Sequence, residues 1–195
     1  MTTQIIEPQP DAFQLPPLAT AEALSVATGG QVSASDPRVL PLLQGASTAV
    51  RKYCRWHIAP VLEESLTVDG PGADVLHLPT GRLLSLVEVT EEGRPVPVIG
   101  LDVSRAGMIS RRSGVWSSRF SGVTARVRHG HDLAAVADVS QIVLQVVTNA
   151  LASPMGVTRE QAGALSVSWS MTGPNVAGGI SLLERDLSVL AGYRI

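Results

Sequence analysis

Residues 64–131 change the apolar period of this chain from helical to two, and residues 133–152 change it back. That double switch requires a fold in which a block of strands interrupts a set of helices. Within the block, SLTVDG, VLHLP, LLSLVEVTEEGRPVPVI, GMISRRSGVW and GVTARVRHG alternate or run apolar and are rich in Val, Ile and Thr. Pro71-Gly72, Pro79-Thr80-Gly81, Glu92-Gly93 and Ser113-Gly114 punctuate them, which predicts an antiparallel module of four to six strands.

The flanks read as helix. Thr20 caps a short helix over Ala21 to Ala27, with Glu22 in its first turn and Gly29-Gly30 as the stop. Asp36-Pro37 reads as a cap followed by proline at the first helical position, although Pro41 lies deep enough to delay or distort the first turn. Val39, Leu43, Ala46, Val50 and Tyr53 recur at steps of four and three, so this second helix should end near Trp56, with Pro60 closing the segment. Residues 133–152, LAAVADVSQIVLQVVTNALA, carry a polar line of Asp138, Gln141, Gln145 and Asn149 on a helix that is otherwise mostly apolar. The line argues against a membrane span and leaves the helix buried on most sides, in the core or against another subunit. After Pro154, LSVSWSM predicts one more strand, TGPNVAGG a flexible turn, and Ser181 with Glu184 a capping box for a last helix bearing Leu182, Leu183, Leu187 and Leu190. Residues 1–18, with four prolines and no apolar period, read as an extended arm.

The expected class is therefore α+β: a small helical bundle with an inserted antiparallel β module and a C-terminal helix. The boundaries are an arm at 1–18, a helical part at 19–60, the β module at 61–131, a long core helix at 132–153, and a strand, turn and helix at 154–195. At 195 residues and 45% apolar content, with only 4% aromatic, the core should be built from small and medium side chains. The single cysteine rules out an internal disulfide. The first twenty residues hold no basic residue and no long apolar run, so the expectation is a soluble intracellular protein without a signal peptide.

The search for chemistry yields little. Cys54 with His57 could form a nucleophile and base, but nothing else in the sequence marks a catalytic set. On a helix Val50, Tyr53 and Cys54 share a face, so packing is the reading adopted, with Trp56 as an anchor beside them. His129-Gly130-His131-Asp132 offers four potential ligand atoms, yet it lies where a strand hands over to the long helix, and Asp132 reads as that helix's cap. Glu63-Glu64 and Glu91-Glu92 would point to opposite faces of a strand or sit in a turn, poor geometry for a shared proton. There is no phosphate loop, GxSxG, HExxH or paired CxxC. The expectation is no catalytic site, no resident metal and no cofactor.

Charge is less uniform. Between Asp102 and Asp132 the chain has no acid but six arginines, Arg105, Arg111, Arg112, Arg119, Arg126 and Arg128, with Trp116 among them. This segment is about +6 in a chain of formal net charge −2, leaving about −8 elsewhere. Three readings stand: arginines that blunt strand edges, a dock for an acidic protein surface, or a dock for DNA phosphates.

The helix ending in YCRWHIAP, the strand start EESLTVDGPG, LHLP with its Leu/Val-rich strand, the Gly-Val-Trp tip, VTARVRHGHD before a long helix, then GVTREQAG and the closing LAGYRI follow one another in a fairly specific order. Over roughly residues 36–195 this order resembles the head-to-tail connector (adaptor) proteins of tailed bacteriophages, in the form found in phages of GC-rich actinobacteria. Arg55 stands where that pattern has a small residue, and VRHGHD replaces a more aromatic turn. The resemblance implies a virion protein of the neck, assembled in the host cytoplasm into a homo-oligomeric, typically dodecameric ring. Such a ring sits beneath the portal protein, extends the channel for genomic DNA and presents a surface to the next neck or tail stopper protein. Arg105, Arg111, Arg112, Trp116 and Arg119 would then contact partners, Asp138, Gln141, Gln145 and Asn149 a neighbouring subunit, and Tyr193 and Arg194 either. The alternatives from other classes are a DNA-binding accessory protein using the arginine-rich strands and a small Cys/His hydrolase.

Overall fold

The computed structural model describes residues 15–152, 159–162, 165–168 and 180–195, the two strands at 159–162 and 165–168 by backbone only. The fold is α+β. Helix α1 (Ala21–Ala27) begins at Thr20, whose Oγ1 accepts from Ala23 N at 3.1 Å. Helix α2 spans Val39–Cys54, two residues later than the Asp36-Pro37 signal suggests. Asp36 instead accepts from the backbone and guanidinium of Arg38 in a turn that precedes the helix. The helix ends at Cys54 because Arg55 takes φ +69, the left-handed region in which a small residue is easiest to accommodate.

The β module is richer than the sequence suggests. Seven strands lie within residues 62–129: β1 (Leu62–Val68), β2 (Val75–His77), β3 (Leu83–Glu91), β4 (Arg94–Pro95), β5 (Leu101–Val103), β6 (Met108–Arg111) and β7 (Val123–His129). They form two antiparallel sheets, ordered β1-β7-β3-β4 and β2-β6-β5. The additional strands, β4 and β5, are two and three residues long, too short for alternation to reveal. Glu92 and Gly93, both at positive φ, make the tight turn between β3 and β4. Val123, Ala125 and Val127 of β7 and Val89 of β3 face Leu76, Leu101 and Ile109 of the other sheet across one core, with Trp116 among them.

After β7 a 3-10 turn (Leu133–Val136) leads into α3 (Ala137–Ala152). Asp132 stands at the cap position of that turn without a side-chain cap bond; its backbone carbonyl accepts from Ala135 N. The stretch Leu133–Ala152 is long and apolar enough to cross a membrane by length and composition. In the fold its Val139, Val143, Val146 and Val147 are buried against Leu43, Ala46 and Val50 of α2, with Leu24 of α1 and Leu190 in the same cluster. Strand β8 (Arg159–Ala162), which the sequence does not announce, pairs with β9 (Leu165–Ser168). The proposed TGPNVAGG turn lies outside the described residues. Helix α4 (Glu184–Leu190) is capped by Asp186, whose carboxylate accepts from Leu183 N at 2.9 Å; the expected Ser181/Glu184 box does not form, the helix starting too late for Ser181 to reach it.

Residues 1–14 of the expected arm lie outside the described residues, and from residue 15 the segment is not free. Leu18 is fully buried, its N–H donates to Ser47 Oγ at 2.8 Å and its carbonyl accepts from Ser140 Oγ at 2.7 Å. The strap thus lies across α2 and α3, with both of its backbone polar groups satisfied by side chains.

Candidate functional site

The end of α2, the start of β1, the end of β7 and the C-terminal tail converge on one junction. Cys54 is fully buried, and its thiol lies 3.6 Å from Leu190 O. Burial pushes that thiol up to about 11, so it rests protonated at neutral pH. Among the described residues no hydrogen bond joins it to His57, and the nucleophile-base pair is not assembled. Val50 is buried beside it and Tyr53 half-buried, with its hydroxyl donating to Leu187 O at 3.3 Å. Trp56, 7% exposed, donates from Nε1 to Tyr193 O at 2.6 Å.

Arg51 clamps this region. Its guanidinium donates to the carbonyls of His57, Ala59 and Pro16 at 2.8–3.0 Å, and burial pulls it down to about 10. The segment it holds is tightly bent: Ile58, β-branched and fully buried, sits at φ +65, and the Ala59-Pro60 peptide is cis. Nothing local marks Arg51 for this role, because the carbonyls it serves belong to a turn whose shape only the fold defines.

Three titratable side chains meet under that turn. His57 and His129 are both buried, with ring centroids 4.3 Å apart at 66°. His129 Nε2 lies 2.8 Å from Glu64 Oε1, and His57 Nε2 lies 2.9 Å from Pro60 O. Both partners are acceptors, so each Nε2 carries a proton. His129 Nδ1 is buried without a hydrogen-bond partner. Burial, with His129 adding to it, draws His57 down to about 4, and the hydrogen bond from His129 draws Glu64 below the usual carboxylate range. Gly130 makes the approach possible: at φ +105, a Cβ there would stand 2.5 Å from both His57 Nε2 and Pro60 O. The sequence groups His131 with His129, but β7 ends at His129 and the turn at Gly130, with its φ of +105, carries His131 away. It packs instead near Trp56 and Tyr193, at centroid distances of 5.8 and 5.9 Å.

Most of the arginine-rich segment is charge-paired. Arg111 Nη2 meets Glu91 Oε2 at 2.7 Å, Arg112 meets Asp102 at 2.9 Å, Arg119 meets Glu92 at 3.5 Å and Arg126 meets Glu63 at 2.6 Å. Glu63 and Glu64 do point to opposite faces, one to Arg126 and one to His129. Trp116 is not presented to a partner: it is 1% exposed, its Nε1 donates to Asp74 O, and Arg111 stacks on its ring at 4.1 Å. Arg105 and Arg128 are exposed, and among the described residues neither makes an ion pair.

On α3, Asp138, Gln141 and Gln145 are exposed and Asn149 is half-buried. Asp138 is engaged, since Tyr193 Oη donates to its carboxylate at 2.9 Å; burial and that bond push the phenol up to about 12. Arg194 is exposed and lies 5.5 Å over the Tyr53 ring.

No family model matches this sequence, and no curated protein matches it. Among solved structures, the whole chain superposes on 95% of a chain from the neck of a native GTA particle computed with C12 symmetry, at a TM-score of 0.52 and 15% identity. The likeness is one of fold.

Proposed function

We propose that this protein is a structural component of the neck of a tailed-phage-like particle, of the connector type. It would form a homo-oligomeric ring, dodecameric by analogy with the C12 symmetry of that neck particle, between the portal protein and the next neck or tail stopper protein, around the channel for genomic DNA. The observation that carries this reading is that the fold likeness to a neck chain spans the full length of the sequence. The motif order that resembles actinobacteriophage connectors supports it independently. The exposed polar line of Gln141 and Gln145 on α3 suits contact with a neighbouring subunit, a polar strip beside apolar surface being ordinary for such interfaces. Exposed Arg105, Arg112, Arg119 and Arg194 suit partner contacts at the rim; Trp116 is left to the core.

The DNA-binding alternative is weakened because four of its six arginines already meet carboxylates. The hydrolase alternative lacks an assembled dyad. Negative-stain imaging of the protein co-expressed with the portal protein of its own genome tests the reading. An added layer with the portal's rotational symmetry is the expected result; a bare portal beside free protomers, in the presence of packaged DNA as well as without it, would overturn it.

A further inference from the structure

We propose that His57, Glu64 and His129 form a binding site for one divalent transition-metal ion of the zinc class, which fastens the helical part of the molecule to its β module. The three side chains come from three separate places in the chain: the turn after α2, strand β1 and the last residue of β7. Each offers one ligand atom, and these atoms all lie within 4.8 Å of one another.

The donor set decides the class of ion. Two imidazole nitrogens and one carboxylate oxygen suit Zn2+, Co2+ or Ni2+, whereas Ca2+ and Mg2+ take shells of oxygen. Metal-ligand bonds of about 2.0–2.2 Å place tetrahedral donors about 3.4 Å apart, so the widest pair must close by at most about 1.4 Å. Glu64 can supply that movement, because its side chain is 44% exposed while both rings are held in the interior. The exposed carboxylate also gives an entering ion its path, and a water completes the shell.

Independent of the clustering, the site contains a polar atom with nothing to bind: His129 Nδ1, on a side chain 1% exposed. A buried unpaired polar atom is costly, and a cation ligated by Nδ1 would give it the partner it lacks. Gly130 admits the His57 ring where any side chain would exclude it.

The inference does not depend on the ring reading, since every ligand belongs to one protomer, and the test uses the free full-length protein. EDTA-treated protein is titrated with Co2+ and followed by visible d–d absorption, then with Zn2+ by calorimetry and thermal melting. One equivalent should bind, with a raised melting temperature. Glu64→Gln should weaken binding at least tenfold while leaving the circular dichroism spectrum intact, Glu64→Asp should recover part of it, and His131→Ala should bind as wild type does. Absence of a Co2+ band and of a thermal shift in the wild-type protein would overturn the proposal. So would equal affinity in Glu64→Gln, or loss of binding in His131→Ala.

Discussion

Trp56 Nε1 donates to the backbone carbonyl of Tyr193 at 2.6 Å, a bond between the end of the second helix and the last residues of the chain. Two further contacts repeat the connection: Ile195 N donates to Cys54 O at 3.3 Å, and Arg194 lies over the Tyr53 ring. Trp56→Ala removes both packing and bond and should cost roughly 3–5 kcal/mol. Trp56→Phe keeps most of the packing and should cost less, with the bond itself worth about 1 kcal/mol. Urea unfolding of the two variants separates the terms, and equal tolerance of both would contradict this placement.

Cys54 is packing, and its thiol should be slow to react. With the thiol held near 11 by burial, native protein at pH 8 should resist iodoacetamide over a period in which urea-unfolded protein is fully alkylated. The sign of the linkage also follows. The unfolded thiol ionises near its ordinary value of 9.0 and the folded one near 11, so the unfolded state loses its proton first and stability should fall as pH rises from about 9 to 11. A Cys54→Ala variant, assayed by the same melts, should lose that component of the decline.

Arg51 serves three carbonyls at once. Lysine cannot reproduce a planar fork, so Arg51→Lys should be markedly destabilising despite keeping the charge, by about 2–4 kcal/mol. The released strap should show as faster amide exchange at Leu18, measured by hydrogen-exchange mass spectrometry.

The ion pairs of the β module should differ sharply in worth. Arg111 and Glu91 are each about one-fifth exposed, at 18% and 19%, and Glu91 also accepts from Ser117 N at 2.7 Å. Glu91→Ala strands a half-buried guanidinium and a backbone donor and should cost about 2–4 kcal/mol. Glu63→Ala, opposite exposed Arg126, should cost under about 1 kcal/mol. Thermal unfolding in low and high salt checks both, since screening should erase most of the Glu63 effect and little of the Glu91 effect.

Free double-stranded DNA should bind weakly, with dissociation constants no tighter than the nonspecific range of about 10−4 to 10−6 M at physiological salt. Fluorescence anisotropy across a salt series measures this. A submicromolar constant would favour the DNA-binding alternative over the connector reading.

The sequence made the helices and the long strands legible because each spans several periods of its pattern. Val39, Leu43, Ala46 and Val50 are fully buried on one face of α2, and the alternation of β7 sends Val123, Ala125, Val127 and His129 inward. What escaped was set by distant partners. β4 and β5 are too short to carry a period. The charges of Arg111 and Arg126 read as a surplus because Glu91 and Glu63, which meet them, lie 20 and 63 residues away in sequence. In sequence His129 groups with His131, whereas register brings it to Glu64 and a backbone of positive φ brings it to His57. Trp116, placed among arginines in sequence, proved to be the largest fully buried side chain among the described residues, held by bonds to the carbonyls of Ala73 and Asp74 just before β2.

The distribution of contacts along the chain also sets an order of events during synthesis. Every strand of the β module lies between Leu62 and His129, so both of its sheets can close as soon as that stretch has left the ribosome. Helix α2, made earlier, must wait longer: its principal packing partner is α3, and its end is not sealed until Tyr193 and Ile195 exist. The part inserted into the helical body can thus close before the body that holds it, whose core also takes in contacts from Tyr193 and Ile195.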